Sequence, residues 1–293
     1  MTPLPSCAEE SAAAVVPLAG TAPLADAWLV IEQHGPYGAK ALVESGLPAA
    51  VGQALTAASW SAVKVILARP TGRHGHDRQP TQARVWWADA RRGVMASWRV
   101  ADPADLLAAG PTPAACVQAV LPPWSAAPEP HLFVCTNGRR DACCARLGRL
   151  ALAGVDDAAV WECSHLGGHR FAATGVLLPW GYVYGRLTPD RVAAVLADAR
   201  RGMVHPEGLR GRSSLHPAAQ AAEIAVRQER RLWHVDDVMP TVREELPGRT
   251  VVACRLADGT EVTVTVVEEA LGQALPESCG REPVAATALR IEP

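Results

Sequence analysis

Two pairs of metal-ligating side chains occur in the middle of the sequence. Cys135 and Cys144 are separated by eight residues, and His165 and His169 are separated by three. Thiolates and imidazoles are ligands that zinc, copper and iron–sulfur clusters select, whereas harder cations prefer oxygen. The two pairs therefore form a candidate site for a metal ion or an iron–sulfur cluster.

Two adjacent glycines, Gly167 and Gly168, separate the histidines in the stretch CSHLGGHRF. Histidines four residues apart already share one face of a helix, so a helix would need no glycine there. Adjacent glycines disfavour a helix and let the backbone approach another group closely. The stretch is therefore predicted to be a loop wrapped around a bound group, with the glycine amides donating hydrogen bonds to it.

Each candidate pair follows a predicted strand. The strands are HLFVCT (131–136) and AVWECS (159–164), and the helical segment CCARLGRLALAG lies between them. In a β-α-β unit such strands are neighbours, and their carboxyl ends lie at one edge of the sheet. The four candidate ligands are therefore expected to converge at that edge.

Zinc and a two-iron cluster make different demands on the ligand spacing. A structural zinc site usually takes its first two cysteines about two to four residues apart, so a spacing of eight is wide without being excluded. A two-iron cluster is larger, and each ligand pair can hold one iron. In Rieske centres two histidines replace two cysteines on one iron. The spacing therefore favours a 2Fe-2S cluster and leaves zinc as the alternative.

The residues around these ligands resemble the sucrase/ferredoxin-like family. The resemblance is strongest over about residues 128–202, in CTNGRRDACCARLG and VWECSHLGGHRFAATGVLLPWGYVYGRL, and weaker in AWLVIEQHGPYG and RGRSSLHPAAQAAE. Members carry a thioredoxin-like 2Fe-2S ferredoxin domain. In thioredoxin-like ferredoxins the second ligand pair is generally Cys-x3-Cys, and His-x3-His occupies that place here. The resemblance implies a 2Fe-2S cluster bound by Cys135, Cys144, His165 and His169.

The exchange of two thiolates for two imidazoles changes the charge of such a cluster. Four thiolates leave the oxidised cluster a dianion, whereas two thiolates and two neutral imidazoles leave it neutral. A neutral group is easier to reduce, so the reduction potential is expected to lie above that of four-cysteine clusters, as in Rieske centres. Imidazoles on ferric iron can lose a proton, so reduction is expected to couple to proton uptake at high pH.

The chain is predicted to be an α/β protein in three parts. The order β-α-β-β-β-α, typical of a thioredoxin-like fold, occurs in residues 1–127 and again in the ferredoxin domain, residues 128–202. Residues 203–293 are predicted to form a small α+β region with a helix and a β-hairpin. The N-terminal unit has no cysteine between Cys7 and Cys116, so it is interpreted as a degenerate copy that packs against the cluster domain.

Three connecting segments are predicted from local composition. Residues 1–23 are rich in alanine and proline and are expected to form a loose arm. Residues 41–58 have a helical pattern in which Pro48 breaks the helix or begins a second one. The proline-rich residues 111–130 are a linker candidate.

The other cysteines are expected to play no part in the ligand set. Cys143 is the alternative to Cys144 as the ligand on their shared helix. Cys163, on a predicted strand, is expected to be a buried inert thiol. Cys7, Cys116 and Cys254 are expected to be small hydrophobes or exposed thiols, and Cys279 is expected to have a structural or incidental role.

Composition and charge narrow the function classes. The 293 residues are 49% hydrophobic with a formal net charge of -2, which is globular composition without the basic field of a nucleic-acid-binding protein. No run of about 18 apolar residues predicts a membrane span, and the N-terminus is a poor secretory signal. A cytoplasmic protein is expected, in which the eight cysteines are thiols or metal ligands.

These features predict an electron-transfer protein that serves a reductase and an acceptor protein, with no catalytic residue assigned. One alternative is a thiol–disulfide redox protein, but the chain lacks C-x-x-C, and the adjacent Cys143 and Cys144 would strain a disulfide. A zinc-binding structural module is another. A glycoside hydrolase needs two carboxylates at a defined separation, and the sequence places no such pair.

Four arginines lie close to the candidate ligands in the sequence, and they have two possible roles. They form either a solvated basic rim or a docking patch for an acidic redox partner. The four are Arg139, Arg140, Arg170 and Arg186. Trp180, in a predicted turn, is expected to shield the site from water.

Overall fold

The computed structural model describes residues 6–58, 63–72, 80–107 and 129–292. Cys116, most of the predicted linker and the predicted boundary between residues 127 and 128 lie outside this part of the chain. The division into three parts therefore stays a prediction.

A nine-stranded sheet forms the larger part of the fold. Its strands are β1 (Ala27–Glu32), β2 (Val63–Pro70), β3 (Ala83–Asp89), β4 (Val94–Val100), β5 (His131–Cys135), β6 (Val160–Cys163), β7 (Gly175–Leu178), β8 (Tyr182–Tyr184) and β9 (Leu209–Arg212). They lie in the order β4-β3-β1-β2-β6-β5-β7-β8-β9. The protein is therefore an α/β protein, as the sequence predicts.

Five α-helices occur in the described residues. They are α1 (Cys7–Ala13), α2 (Ala49–Ala58), α3 (Ala142–Ala151), α4 (Pro189–Ala199) and α5 (Pro217–Arg230), with 3-10 turns at Pro103–Leu107 and His169–Phe171. The side chains of Asp141 and Thr188 cap α3 and α4 by accepting backbone N–H groups of the first turn. Proline stands at the first position of α4 and α5, where its missing N–H costs no hydrogen bond. None of the described helices is long and apolar enough to cross a bilayer.

The order of strands repeats within the large sheet. In β1–β4 the order is β2-β1-β3-β4, and in β5–β8 it is β6-β5-β7-β8. In each repeat the first two strands are parallel, and the last two form an antiparallel hairpin. The repeated order of elements predicted from the sequence is therefore confirmed, except that a 3-10 turn stands where the last helix of the first repeat was expected.

The two repeats meet through β2 and β6, which pair antiparallel. Arg69 of β2 donates to Glu162 of β6 at 2.7 and 2.9 Å, and Thr136 donates to the same carboxylate oxygen at 2.8 Å. All three side chains are buried, so each charge has its partner within the interior. These contacts fix the register of the two repeats beside the end of β5.

Alternation along β5 places its residues on two faces of the sheet. Leu132 and Val134 face a core that includes α4, whereas Phe133 and Cys135 face the other side. That other side is one core that also contains Trp28 of β1 and Trp86 of β3 from the first repeat. The large sheet therefore curls so that both repeats pack around the strand that ends in Cys135.

A second sheet of four antiparallel strands follows α5. Its strands are β10 (Val238–Leu246), β11 (Arg249–Leu256), β12 (Glu261–Leu275) and β13 (Val284–Ile291), paired in chain order. The hairpin predicted in residues 203–293 is formed by β11 and β12, which turn at Asp258 and Gly259. The sequence did not predict β10 and β13, because most of their residues are exposed and give little hydrophobic alternation.

Two local predictions are wrong. In the predicted loose arm, residues 7–13 form α1, which a reciprocal pair of hydrogen bonds between Ser6 and Glu9 caps. Cys7 at the start of this helix is buried, because α1 packs against the 3-10 turn His169–Phe171. In residues 41–58 only Ala49–Ala58 is helical, so the predicted helix before Pro48 is absent, whereas the alternative that Pro48 begins a helix is confirmed.

A buried charge cluster joins β8, β9 and α5. Glu223 accepts hydrogen bonds from Tyr182 at 3.1 Å, Arg212 at 2.6 Å and Arg227 at 2.9 Å. All four side chains lie in the interior. Removal of the carboxylate would leave two buried guanidinium groups without their anion.

We expect Glu223→Gln to lower the free energy of unfolding by about 3–5 kcal/mol, because breaking a buried ion pair leaves an uncompensated charge. Urea unfolding monitored by circular dichroism measures the change. The matched control is Glu261→Gln in the exposed pair with Arg243 at 2.9 Å, where we expect less than about 1 kcal/mol. Equal effects of the two substitutions would contradict the prediction.

Candidate metal centre

Adjacent parallel strands bring three of the predicted ligands together. Cys135 is the last residue of β5, Cys144 lies in the first turn of α3, and His165 follows β6 by two residues. Their ligand atoms all lie within 4.8 Å of one another, and Cys144 Sγ is 3.8 Å from His165 Nδ1. Both cysteines are only 1% exposed. The edge of the sheet thus carries two buried thiols and an imidazole, as the β-α-β order implies.

The fourth predicted ligand, His169, lies beside this group. Its ring centroid is 5.1 Å from that of His165. Its Nδ1 atom is buried and has no hydrogen-bond partner among the described residues. Its Nε2 atom lies 3.8 Å from the carboxylate of Asp141. The ring therefore has one nitrogen near a carboxylate and one nitrogen without a hydrogen-bond partner in the described part of the chain.

The two adjacent cysteines of α3 face different groups. Cys144 lies with Cys135 and His165, whereas Cys143 Sγ lies 3.5 Å from Cys7 Sγ and 3.1 Å from Cys279 Sγ. Successive residues of a helix point about 100° apart, so one turn serves both groups. The structure thus places Cys144, and not its neighbour, next to Cys135.

The contact between the two thiols sets their acidity. A hydrogen bond with Cys144 is the main cause that lowers the pKa of Cys135, and the same contact raises the pKa of Cys144. Burial adds to the rise at Cys144 because it disfavours a charged thiolate. The contact therefore shifts the pKa values of the two thiols in opposite directions.

The glycine pair adopts the backbone conformation that only glycine takes easily. Gly167 has φ +98° and Gly168 has φ +71°. A Cβ atom at Gly168 would also overlap the guanidinium of Arg210. Glycine is therefore required at this position by the turn and by the close approach of a buried cation. The predicted approach of these glycines to a bound group stays a prediction.

Two cations that sequence analysis missed hold this loop. Lys64 of β2 donates to the carbonyl of Leu166 at 2.8 Å, and Arg210 of β9 donates to the carbonyl of Gly167 at 3.1 Å. Burial first, and then the charge of Arg210, lowers the pKa of Lys64 to about 8. The sequence contained a feature that could have identified Lys64, because it is one of only two lysines and lies within an apolar strand segment.

The four neighbouring arginines divide into two groups. Arg139 and Arg140 are exposed. Arg186 donates to two backbone carbonyls in and just after α1, at 3.1 and 2.8 Å, and Arg170 pairs with Glu277 between β12 and β13. Two of the four therefore attach the N-terminal helix and the C-terminal sheet to the site.

The prediction that Trp180 shields the site is wrong. Strand β7 runs antiparallel to β5 and pairs Leu178 with His131, so the turn that follows lies at the end of β5 opposite Cys135. The Trp180 indole packs against Gly93 in the first repeat. The antiparallel direction of β7 carries the chain away from the ligands before Trp180 is reached.

A cleft of about 600 Å³ opens beside the histidine loop. Residues from the N-terminal segment, the loop and the C-terminal sheet line it, including Thr21, Gly168, His169, Arg170, Arg210 and Glu277. The side chain of His169 is 15% exposed, whereas both cysteines are sealed from solvent. His169 therefore lines the cleft, and His165 is partly exposed as well.

Two further cysteines are buried, as predicted. Cys163 is fully buried on β6, opposite Cys135, and burial raises its pKa. Cys254 lies in the core between α5 and the second sheet. Cys7 is buried, as a small hydrophobe would be, and the sulfurs of Cys7 and Cys279 each lie within 3.5 Å of Cys143 Sγ.

A comparison with protein families matches the sucrase/ferredoxin-like family over residues 18–211. The matched stretch begins before β1, ends within β9, and contains all four predicted ligands. Searches of curated proteins and of solved structures found no match.

Proposed function

The chain belongs to the sucrase/ferredoxin-like family, and from this premise we propose that it is an electron-transfer protein with a 2Fe-2S cluster. Cys135, Cys144, His165 and His169 would hold the cluster. The repeats of the large sheet are, in this proposal, thioredoxin-like units, and the second is the ferredoxin domain. The observation that carries the proposal is the convergence of two buried thiols and two imidazoles at the end of β5.

The donor set fits such a cluster in three respects. Two thiols and two imidazoles are the ligand types of a Rieske centre. The thiols are sealed from water, which protects thiolate ligation. The buried Nδ1 of His169 has no hydrogen-bond partner within the described ranges, and a buried polar atom without a partner is costly unless something else binds it.

Charged side chains next to the predicted ligands would influence the bound cluster. Asp141 lies 3.8 Å from His169 Nε2, where the two interact through charge and not through a hydrogen bond. The charges of Lys64 and Arg210, on the carbonyls of the histidine loop, favour added negative charge. When bound, the cluster supplies a one-electron donor and acceptor. We expect a potential above that of four-cysteine clusters and proton uptake on reduction at high pH.

The partners of this proposal are a reductase and an acceptor protein in the cytoplasm. A partner would dock at the cleft that His169 lines, where part of this ligand is accessible. Arg139 and Arg140 are exposed on the α3 side of the site and would favour an acidic partner surface.

Iron, acid-labile sulfide and EPR measurements on anaerobically purified protein test the proposal. We expect reddish-brown protein with about two irons and two sulfides per chain, and an absorption that bleaches on dithionite. The reduced protein should show an EPR signal with a lower average g than four-cysteine clusters. Colourless protein with zinc and no labile sulfide would overturn it.

A structural zinc ion at the same ligands is the second candidate. It is favoured by one observation, the 4.8 Å span that encloses the ligand atoms of Cys135, Cys144 and His165. One tetrahedral ion with metal–ligand distances of about 2.0–2.3 Å can bridge such a span. The sulfide measurement separates the two candidates, because zinc brings no sulfide.

We expect Lys64→Met to lower the reduction potential by an amount on the order of tens of millivolts, because it removes a half-buried positive charge beside the ligands. A redox titration followed by visible absorption measures the shift. The matched control is Lys40→Met, which removes the other lysine at an exposed position. A potential that is unchanged by Lys64→Met, or equally lowered by both, would contradict the expectation.

A further inference from the structure

Three thiols from distant parts of the chain meet beside the candidate centre. Cys7 Sγ lies 3.5 Å from Cys143 Sγ and 3.5 Å from Cys279 Sγ, and Cys143 Sγ lies 3.1 Å from Cys279 Sγ. Cys7 and Cys143 are buried, and Cys279 is half-buried. An oxygen of Asp141 belongs to the same group, in which all ligand atoms lie within 4.8 Å of one another.

We propose that these four residues form a second, separate metal site that binds a structural zinc ion. The ligands would be the thiolates of Cys7, Cys143 and Cys279 and the carboxylate of Asp141. Three cysteines and one further ligand are a common set for a closed, four-coordinate zinc site. Binding releases the three thiol protons to solvent and leaves the oxidation states of sulfur and zinc unchanged.

The distances favour a shared ion over a disulfide. The sulfur separations of 3.1 and 3.5 Å are far longer than the bond of about 2.0 Å in a disulfide. Thiolates about 2.3 Å from a tetrahedral zinc ion lie about 3.8 Å from one another, closer to the separations found here. A disulfide would also join two of the sulfurs and leave the third unused.

Asp141 is already oriented between two of the cysteines. One carboxylate oxygen accepts the backbone N–H of Cys143 at 2.9 Å. The other accepts the N–H of Cys279 at 2.9 Å and the hydroxyl of Ser278 at 3.0 Å. Such outer hydrogen bonds hold a ligating carboxylate in place. Once the three thiols are deprotonated, a divalent metal ion would offset the negative charge of the thiolates and the carboxylate.

The position of the site indicates what it does. Cys7 begins α1 and Cys279 lies between β12 and β13, so both lie outside residues 18–211, the stretch that matches the family. The ion would fasten the N-terminal helix and the C-terminal sheet to α3. A link across segments more than a hundred residues apart restricts the unfolded chain strongly. It would also hold these two segments over the side of the loop that carries His169.

Metal analysis of single variants tests this second site. Wild-type protein purified under reducing conditions should contain about one zinc ion per chain. Cys279→Ser and Cys7→Ser should each lose most of this zinc while keeping iron and sulfide at the wild-type level. Cys135→Ser should lose iron and sulfide while keeping zinc. Cys254→Ala, which removes a buried thiol elsewhere, should change neither metal.

Three outcomes would overturn the second site. One is wild-type protein without zinc, in which all three thiols react with a thiol reagent once the chain is unfolded. Another is an intact mass lower by two hydrogens together with a peptide map that joins Cys143 to Cys279 through a disulfide. The third is zinc that disappears in Cys135→Ser and persists in Cys279→Ser, because that zinc belongs to the first site.

Cobalt substitution gives an independent readout. Cys135→Ser protein reconstituted with Co²⁺ should show thiolate-to-cobalt charge-transfer absorption, and the additional change Cys279→Ser should reduce it by a third or more. An absorption that the additional change does not reduce would count against the site. Failure of iron to bind to wild-type protein would remove the proposed electron carrier and leave this site standing, so the two proposals fail separately.

Discussion

Cys135→Ser is expected to purify with less than about a tenth of the wild-type iron and acid-labile sulfide. Cys135 is the last residue of β5, is 1% exposed and contacts Cys144. Because the site is buried, a water molecule cannot easily take the place of its sulfur as a ligand. A serine hydroxyl stays protonated at neutral pH and is a poor ligand for iron, whereas iron–sulfur clusters bind through thiolates. Colorimetric iron and sulfide assays on anaerobically purified protein measure the loss.

The matched control for this substitution is Cys163→Ser. Cys163 stands opposite Cys135 in the parallel register of β5 and β6 and is equally buried. It belongs to neither group of potential metal ligands in the described residues. We expect Cys163→Ser to keep its iron and sulfide and to lose some stability. Loss of iron in the control together with retention in Cys135→Ser would contradict the assignment.

His165→Cys is expected to keep iron and sulfide and to lower the reduction potential by an amount on the order of 100–300 mV. The imidazole of His165 lies 3.8 Å from Cys144 Sγ, so a thiolate at this position still faces the ligand group. The exchange adds one negative charge to the ligand set and makes reduction harder. Clusters with two histidine ligands have potentials several hundred millivolts above those of plant-type four-cysteine clusters.

The pH dependence of the potential should change in the same variant. Because reduction takes up a proton at high pH, the wild-type potential should fall as pH rises in the alkaline range. His165→Cys has one imidazole fewer to carry that proton, so its potential should fall less steeply. Redox titrations between neutral and alkaline pH measure both effects. His205→Gln, at a histidine that instead pairs with Asp198, is the control with no expected change.

A wild-type potential that stays flat across this pH range would contradict the proton coupling. A potential of His165→Cys at or above the wild-type value would contradict ligation by His165. Loss of all iron in this variant, with the fold intact by circular dichroism, would also contradict the expectation, since thiolate is a better cluster ligand than imidazole.

Local features of the fold could be predicted well from the sequence. The strand residues of β5 and β6 and the start of α4 at Pro189 all come from patterns within a few residues. The repeated order of elements was also predictable, because each repeat has its own run of strand and helix patterns. Strand predictions depend on the alternation of apolar and polar residues. This alternation is weak in β10 and β13, and those strands were not predicted.

The sequence by itself determined which residues end the two parallel strands, and thereby that two cysteines and a histidine would meet at one edge. Only the tertiary structure decided what surrounds them. Lys64 lies before the histidine loop in the sequence and Arg210 lies after it, and both donate hydrogen bonds to the loop. Cys7 and Cys279 contact Cys143 although each is more than a hundred residues away from it in the sequence. Periodicity reports what a residue faces within its own element, whereas contacts between distant segments depend on how whole elements pack.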